Sequence, residues 1–246
     1  MGPRGPIRSA ASMRLAGRRP ALERLRRRPE TIRRLYLSQG TEAPEVVQAA
    51  REARISFELL APAAFQRRTG EIHAQGVLAE VDPFRYAEVE DLIQGPGARP
   101  LLLLLDRITD PQNLGSILRT AACLGGIALV LPKHDSAGIT DTVLRVACGG
   151  ENHVPVALVT NLSNACDLLK RHDYWIAGAQ AEGGTPLHQV DWPSPLALIL
   201  GSEGGGIRHG LQKQLDLQVT LPMPGAPLSF NVAVAAALIA YEIRRP

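Results

Sequence analysis

An α/β fold in two units is what this 246-residue sequence predicts: a small N-terminal α/β domain, then a larger C-terminal domain on a mostly parallel sheet. Three observations carry that reading. Short apolar runs alternate with amphipathic stretches along most of the chain. From residue 101 onward the runs become continuous, beginning with five successive leucines, as strands buried on both faces do. Between the two regions, residues 86–100 hold Gly95-Pro96-Gly97 and Pro100 and show weak apolar periodicity, which predicts an interdomain linker.

In the first unit, residues 15–27 suit a helix with Leu15, Leu22 and Leu25 inward. Strands follow at 32–37, 56–60 and 75–81, with helices at 43–54 and 63–68. In the second unit, strands are expected at 101–105, 127–131, 153–156, 174–179, 196–200 and 216–221. Helices are expected at 113–124, 141–147, 162–171 and 231–245. The implied division is a dispensable, disordered tail at 1–12, a domain at 13–83, a linker at 84–99 and a domain at 100–246.

Composition excludes several classes. The strongest apolar stretches, 101–105 and 232–240, fall well short of the roughly 20 residues that span a bilayer. The three cysteines, Cys123, Cys148 and Cys166, are odd in number and form no CxxC, so free thiols in a reducing cytoplasm are expected rather than a disulfide framework. The six histidines show no metal-ligand spacing, and no metal site is expected.

Charge is uneven. Residues 1–34 hold eleven Arg and two Glu, a local +9, and the rest of the chain carries −6. Such a block is an electrostatic footprint for a polyanion, although a solvated tail of an Arg-rich composition accounts for it as well. An Arg-rich, acid-poor start also suits an organellar transit peptide, but Arg24, Arg26, Arg27 and Arg28 fall inside a helix that belongs to the fold.

Three segments place polar or glycine-rich residues directly after buried strands, where ligands of open α/β sheets bind. The first runs from Leu105 through Asp110-Pro111-Gln112-Asn113-Leu114-Gly115 to Arg119, with Asn113 and Arg119 within two helical turns. The second, Leu200-Gly201-Ser202-Glu203-Gly204-Gly205-Gly206, lets backbone approach a ligand closely. It is neither a Walker A loop nor a GxGxxG fingerprint, and it comes late in the chain. The third leads from Leu221-Pro222-Met223 to Ser229-Phe230-Asn231-Val232, where Ser229 or Asn231 would cap the closing helix. Each segment alone also reads as caps and turns.

Together and in this order the three segments resemble the motifs of the SpoU-type ribose methyltransferases of the SPOUT superfamily. His73-Ala74-Gln75-Gly76-Val77 and the preceding region resemble the ribosomal-protein-like RNA-binding domain of a subgroup that methylates a guanosine ribose in the peptidyl-transferase region of large-subunit rRNA. The likeness covers about residues 14–245. Phe230 stands where leucine is usual, and Ala233 where serine is common.

The resemblance implies a parallel sheet with a C-terminal trefoil knot, S-adenosylmethionine as cofactor, and an obligate homodimer with its site near the interface. It implies catalytic roles for Arg119, Asn113, Glu203, Ser229 and Asn231. Cofactor contacts are implied at Gly201, Leu221 and Phe230, with Leu200, Ser202 and Met223 beside them. Because an arginine stays protonated in proteins, Arg119 suits a phosphate clamp and hydroxyl orienter better than a base. A tRNA ribose methyltransferase, a resistance methylase at another rRNA site and a non-catalytic ribosome-assembly factor are the alternatives. The N-terminal domain favours rRNA.

Overall fold

The computed structural model describes residues 12–70, 74–94, 100–202, 204–225 and 228–245. The N-terminal domain consists of β1 (Met13–Ala16), α1 (Arg18–Arg27), β2 (Ile32–Ser38), α2 (Pro44–Glu52), β3 (Glu58–Leu60), α3 (Pro62–Thr69) and β4 (Val77–Val81). Its sheet has the order β1-β4-β2-β3, antiparallel except for the β2–β3 pair.

Residues 13–16 correct the expected helical start. Leu15 fits a helical stripe with Leu22 and Leu25, yet Met13–Ala16 pairs with Val81–Leu78, partners 62 to 68 residues away that no local pattern reveals. The helix starts only after Gly17, whose φ of 113° breaks the strand.

Next come α4 (Val89–Gln94), β5 (Leu101–Leu105), α5 (Pro111–Leu124), β6 (Ile127–Pro132), α6 (Asp141–Ala147), β7 (Val156–Val159) and α7 (Leu162–Arg171). The chain closes with β8 (Trp175–Gln180), the short β9 (Thr185–Pro186), β10 (Leu196–Leu200), α8 (His209–Gln212), β11 (Leu217–Thr220) and α9 (Val232–Arg244). The seven strands form one all-parallel sheet of order β7-β6-β5-β10-β8-β11-β9.

β5 shows why its sequence is uninterrupted leucine. Leu101, Leu103 and Leu105 join the core under α5, α6 and α9, while Leu102 and Leu104 join the core under α4 and α7. Successive side chains of a strand point to opposite faces, so a strand covered on both sides needs apolar residues at every position. All five are 5% exposed or less, and each such burial contributes about 1.5–3 kcal/mol.

Two further expectations need correcting. The strand expected at 153–156 begins only at Val156, because residues 150–152 form a 3-10 turn. The stretch expected as linker carries α4, which buries Val89, Leu92 and Ile93, and Ala87 bridges to Ala157. Its apolar face is only a turn and a half long, too short for periodicity to stand out. Residues 1–11, His73 and 95–99 lie outside the described residues.

The two domains are tied by packing and by charge. α6 packs on β1 and α1. Arg14 donates its backbone N–H (2.9 Å) and Nε (3.1 Å) to the Asp141 carboxylate. Arg24 of α1 reaches Glu151 at 3.2 Å, with side chains 7% and 0% exposed. Burial pushes the Glu151 carboxyl above its ordinary value, and Arg24 only partly offsets that.

Candidate functional site

At the carboxyl ends of β8, β10 and β11 lies a pocket of about 300 Å³. Leu200, Gly201, Ser202, Leu221, Met223 and Phe230 line it, and these are the six residues expected at a cofactor. Ser229 lines it too. Residues separated by some twenty positions of sequence thus converge because β10 and β11 flank β8 in the sheet.

The wall on the β10 side is a tight backbone loop. Gly206 donates its N–H to the Ser202 carbonyl at 2.9 Å. A Cβ on Gly201 would lie 2.1 Å from the Gly206 carbonyl carbon and 2.4 Å from the Ile207 nitrogen, so only glycine fits. Glu203 lies outside the described residues.

The sequence reading passed over what holds this loop. Asp106, fully buried at the end of β5, accepts from the Arg208 backbone N–H (3.0 Å) and from Arg208 Nε (2.7 Å). Arg107 donates Nη2 to the Gly206 carbonyl at 3.2 Å. A buried carboxylate with charge-assisted hydrogen bonds fixes both ends of a segment more firmly than neutral contacts do. The pairing spans 102 residues, so the only sequence signal was an Asp directly following a buried strand.

The third segment enters α9 through Asn231, the cap, whose Oδ1 accepts from the Ala233 N–H at 2.9 Å. Its Nδ2 donates to Asn113 Oδ1 at 2.9 Å. Asn113 sits in the first turn of α5, which begins at Pro111 behind the Asp110 cap. Gly115 lets α5 approach α6: a Cβ there would meet Val146 at 2.6 Å.

Arg119 is elsewhere. It is exposed on the third turn of α5 and lines a separate groove of about 250 Å³ between α5 and α1. Its Nη1 lies 3.7 Å from Cys148 Sγ. The chain therefore joins Asn113, Ser229 and Asn231 to the pocket but does not place Arg119 in it.

The pocket suits a nucleoside-bearing cofactor. Its lining is mainly apolar, with Leu221, Phe230, Val232 and Ile239, and Gly201, Gly204 and Gly206 present backbone amides and carbonyls to it. Among the described residues, no group of three or more His, Cys, Asp or Glu side chains converges.

The model of the SpoU rRNA Methylase family matches residues 100–241, and that for RNA 2′-O ribose methyltransferase substrate binding matches residues 14–87. The 23S rRNA (guanosine-2′-O-)-methyltransferase RlmB of Bordetella pertussis is 37% identical over 240 residues, 95% of this chain and 97% of that protein. An uncharacterized tRNA/rRNA methyltransferase of Synechocystis is 46% identical over 174 residues, 70% of this chain but 45% of that protein. The SpoU methyltransferase AviRb from Streptomyces viridochromogenes, in complex with AdoMet, superposes with a TM-score of 0.80 at 23% identity, covering 96% of this chain and 90% of that chain.

Proposed function

The chain belongs to the SpoU rRNA Methylase family, and on that premise we propose that it transfers a methyl group from S-adenosylmethionine to a ribose 2′-hydroxyl of a guanosine in large-subunit rRNA. One observation carries the proposal: the second and third segments converge on one pocket, and the Asn113–Asn231 hydrogen bond joins the first segment to it. S-adenosylmethionine bound there supplies an electrophilic sulfonium methyl.

The residues of this chain supply position and charge. Gly201, Leu221 and Phe230 hold the adenosine moiety, with Leu200, Ser202 and Met223 completing the wall. Asn113 and Asn231 fix the entrance, beside Ser229. Arg119 grips the phosphate next to the target ribose and orients its hydroxyl; that hydroxyl would give its proton to the adjacent phosphate, and on to solvent, as it takes the methyl. A guanidinium stays charged, so orientation and charge stabilisation are its chemistry. Glu203 serves as a charge partner on the glycine loop.

A homodimer completes the site. Arg119 lines its own groove, and α9 presents Val234 (45% exposed), Leu238 (42%) and Tyr241 (59%) at helical spacing near the exposed Phe230. An apolar stripe of this kind supports burial against a second copy, which would bring an Arg119 to the pocket. Family membership likewise supports a knotted C-terminal segment and a cytoplasmic enzyme. Among the described residues, no helix is long and apolar enough to cross a membrane.

The test is transfer of radiolabel from S-adenosylmethionine to unmodified large-subunit rRNA, beside a tRNA pool and an Arg119→Ala variant. Label at a single rRNA ribose, lost in the variant, is expected. Label in tRNA alone would overturn the substrate, and label in neither RNA would favour an assembly factor.

A further inference from the structure

The groove that holds Arg119 is bounded on its other side by the N-terminal domain, through Arg19 and Glu23 of α1. Its floor is the turn after α6, with Cys148 in a left-handed conformation (φ 53°) and Gly149 at φ 98°. That turn is wedged between the two helices. A Cβ on Gly149 would fall 2.6 Å from Glu23 Cβ, and one on Gly150 would fall 3.2 Å from Arg119 Cα. The separation of α1 from α5 is therefore set by bare backbone, and the buried Arg24–Glu151 pair pins it directly beneath.

Across this fixed gap the charges are unusual. Glu23, the groove's one carboxylate, is engaged by His153 Nε2 at 2.6 Å and by Arg27 Nε at 3.3 Å. Arg19 stands one turn before Glu23, at the i,i+4 spacing that shares a helix face. Neither Arg19 nor Arg119 pairs with a carboxylate among the described residues. Two guanidiniums lining one groove without a carboxylate partner favour an anion there, and their planar forks match the non-bridging oxygens of a phosphodiester.

We propose that the groove between α1 and α5 is a phosphodiester subsite, in which Arg19 of the N-terminal domain and Arg119 of the catalytic domain hold one RNA phosphate together. This rests on the methyltransferase reading above and deepens it. The N-terminal domain then does more than recruit RNA: it contributes a ligand to the phosphate that Arg119 grips. Arg19 is a positioning residue for the transferred strand, and the rigid turn at 148–150 sets the span the phosphate must bridge.

The full chain tests this with Arg19→Ala and Arg51→Ala, an exposed arginine of α2 that does not line the groove. Methyl transfer to large-subunit rRNA, affinity for that RNA and affinity for S-adenosylmethionine are measured for each. Arg19→Ala is expected to lower kcat/KM for RNA about 10- to 100-fold, the loss of charge-assisted phosphate bonds, with cofactor affinity unchanged. Arg51→Ala should change it by less than about twofold, as an exposed charge does. RNA affinities of the two single variants and the double Arg19→Ala/Arg119→Ala variant should be non-additive, because both groups share one phosphate. Equal effects of Arg19→Ala and Arg51→Ala, or strictly additive losses, would overturn the subsite. Absence of label with the unaltered chain would instead count against the methyltransferase reading, and the affinity cycle would still judge the groove.

Discussion

Replacement of Glu151 by alanine strands the Arg24 guanidinium, 7% exposed, without the carboxylate that lies 3.2 Å away. At that distance and an effective dielectric of about 20 the attraction amounts to roughly 5 kcal/mol. Arginine cannot shed its proton to escape, so the cost of breaking the buried pair falls at about 3–5 kcal/mol. The hydrogen bond from Arg24 Nη1 to Thr31 Oγ1 (3.1 Å) survives but brings no opposing charge.

The reverse change, Arg24→Ala, costs less, because a carboxyl can protonate. Burial, the larger influence, already raises Glu151 above its ordinary 4.5 while Arg24 lowers it. The folded chain therefore holds a proton that the unfolded chain has released between 4.5 and the raised value, and stability falls as pH rises through that window. Removing Arg24 raises the folded value further, so the penalty of Arg24→Ala grows with pH. In the native pair Arg24 Nε and Glu151 Oε2 have no hydrogen-bond partner among the described residues, so the double apolar variant Arg24→Met/Glu151→Leu should recover most of the loss.

Thermal and urea unfolding from pH 4 to 8 measure all three variants. For a chain of this size each kcal/mol shifts the midpoint by about 2–4 °C. Losses below about 1 kcal/mol for Glu151→Ala, or a double variant no more stable than it, would refute the reasoning.

Two further outcomes follow from the site and the core. Gly201→Ala puts a methyl 2.1 Å from the Gly206 carbonyl carbon and must displace the loop, so S-adenosylmethionine affinity should fall about tenfold or more by calorimetry with far-UV dichroism unchanged. An affinity within about twofold of the unaltered chain would show that the loop yields freely. Burial, and next the neighbouring Asp167, pushes the Cys166 thiol up to about 12, so iodoacetamide at neutral to mildly alkaline pH should label the exposed Cys123 and spare Cys166 until the chain unfolds. Equal labelling of the two in the native chain would contradict the packing around α7.

Most strands of the parallel sheet were legible because burial on both faces demands runs such as Leu101–Leu105 and Leu196–Leu200, which leave no second reading. The six residues that the resemblance implies at a cofactor line one pocket because their loops follow β10 and β11, which flank β8; read alone, each loop was equally a cap or a turn. What escaped were pairings with no local trace. Met13–Ala16 is a strand only because β4 lies beside it, and Asp106–Arg208 and Arg24–Glu151 join residues 102 and 127 apart. The separate placement of Arg119 escaped for a different reason: a shared helix argues for nearness along the chain but not for a shared cavity.

α5 acts as a ruler. Asn113, tied to the pocket through Asn231, and Arg119, facing the interdomain groove, are six residues apart on one uninterrupted helix. At 1.5 Å per residue that is about 9 Å of axial travel, and no loop lies between them to stretch or fold. Inserting one residue would swing Arg119 by about 100° around the axis, away from the groove altogether. On the dimeric reading proposed above, Asn113 and Arg119 of one α5 serve different pockets, so this fixed interval sets the spacing between two sites rather than the reach within one.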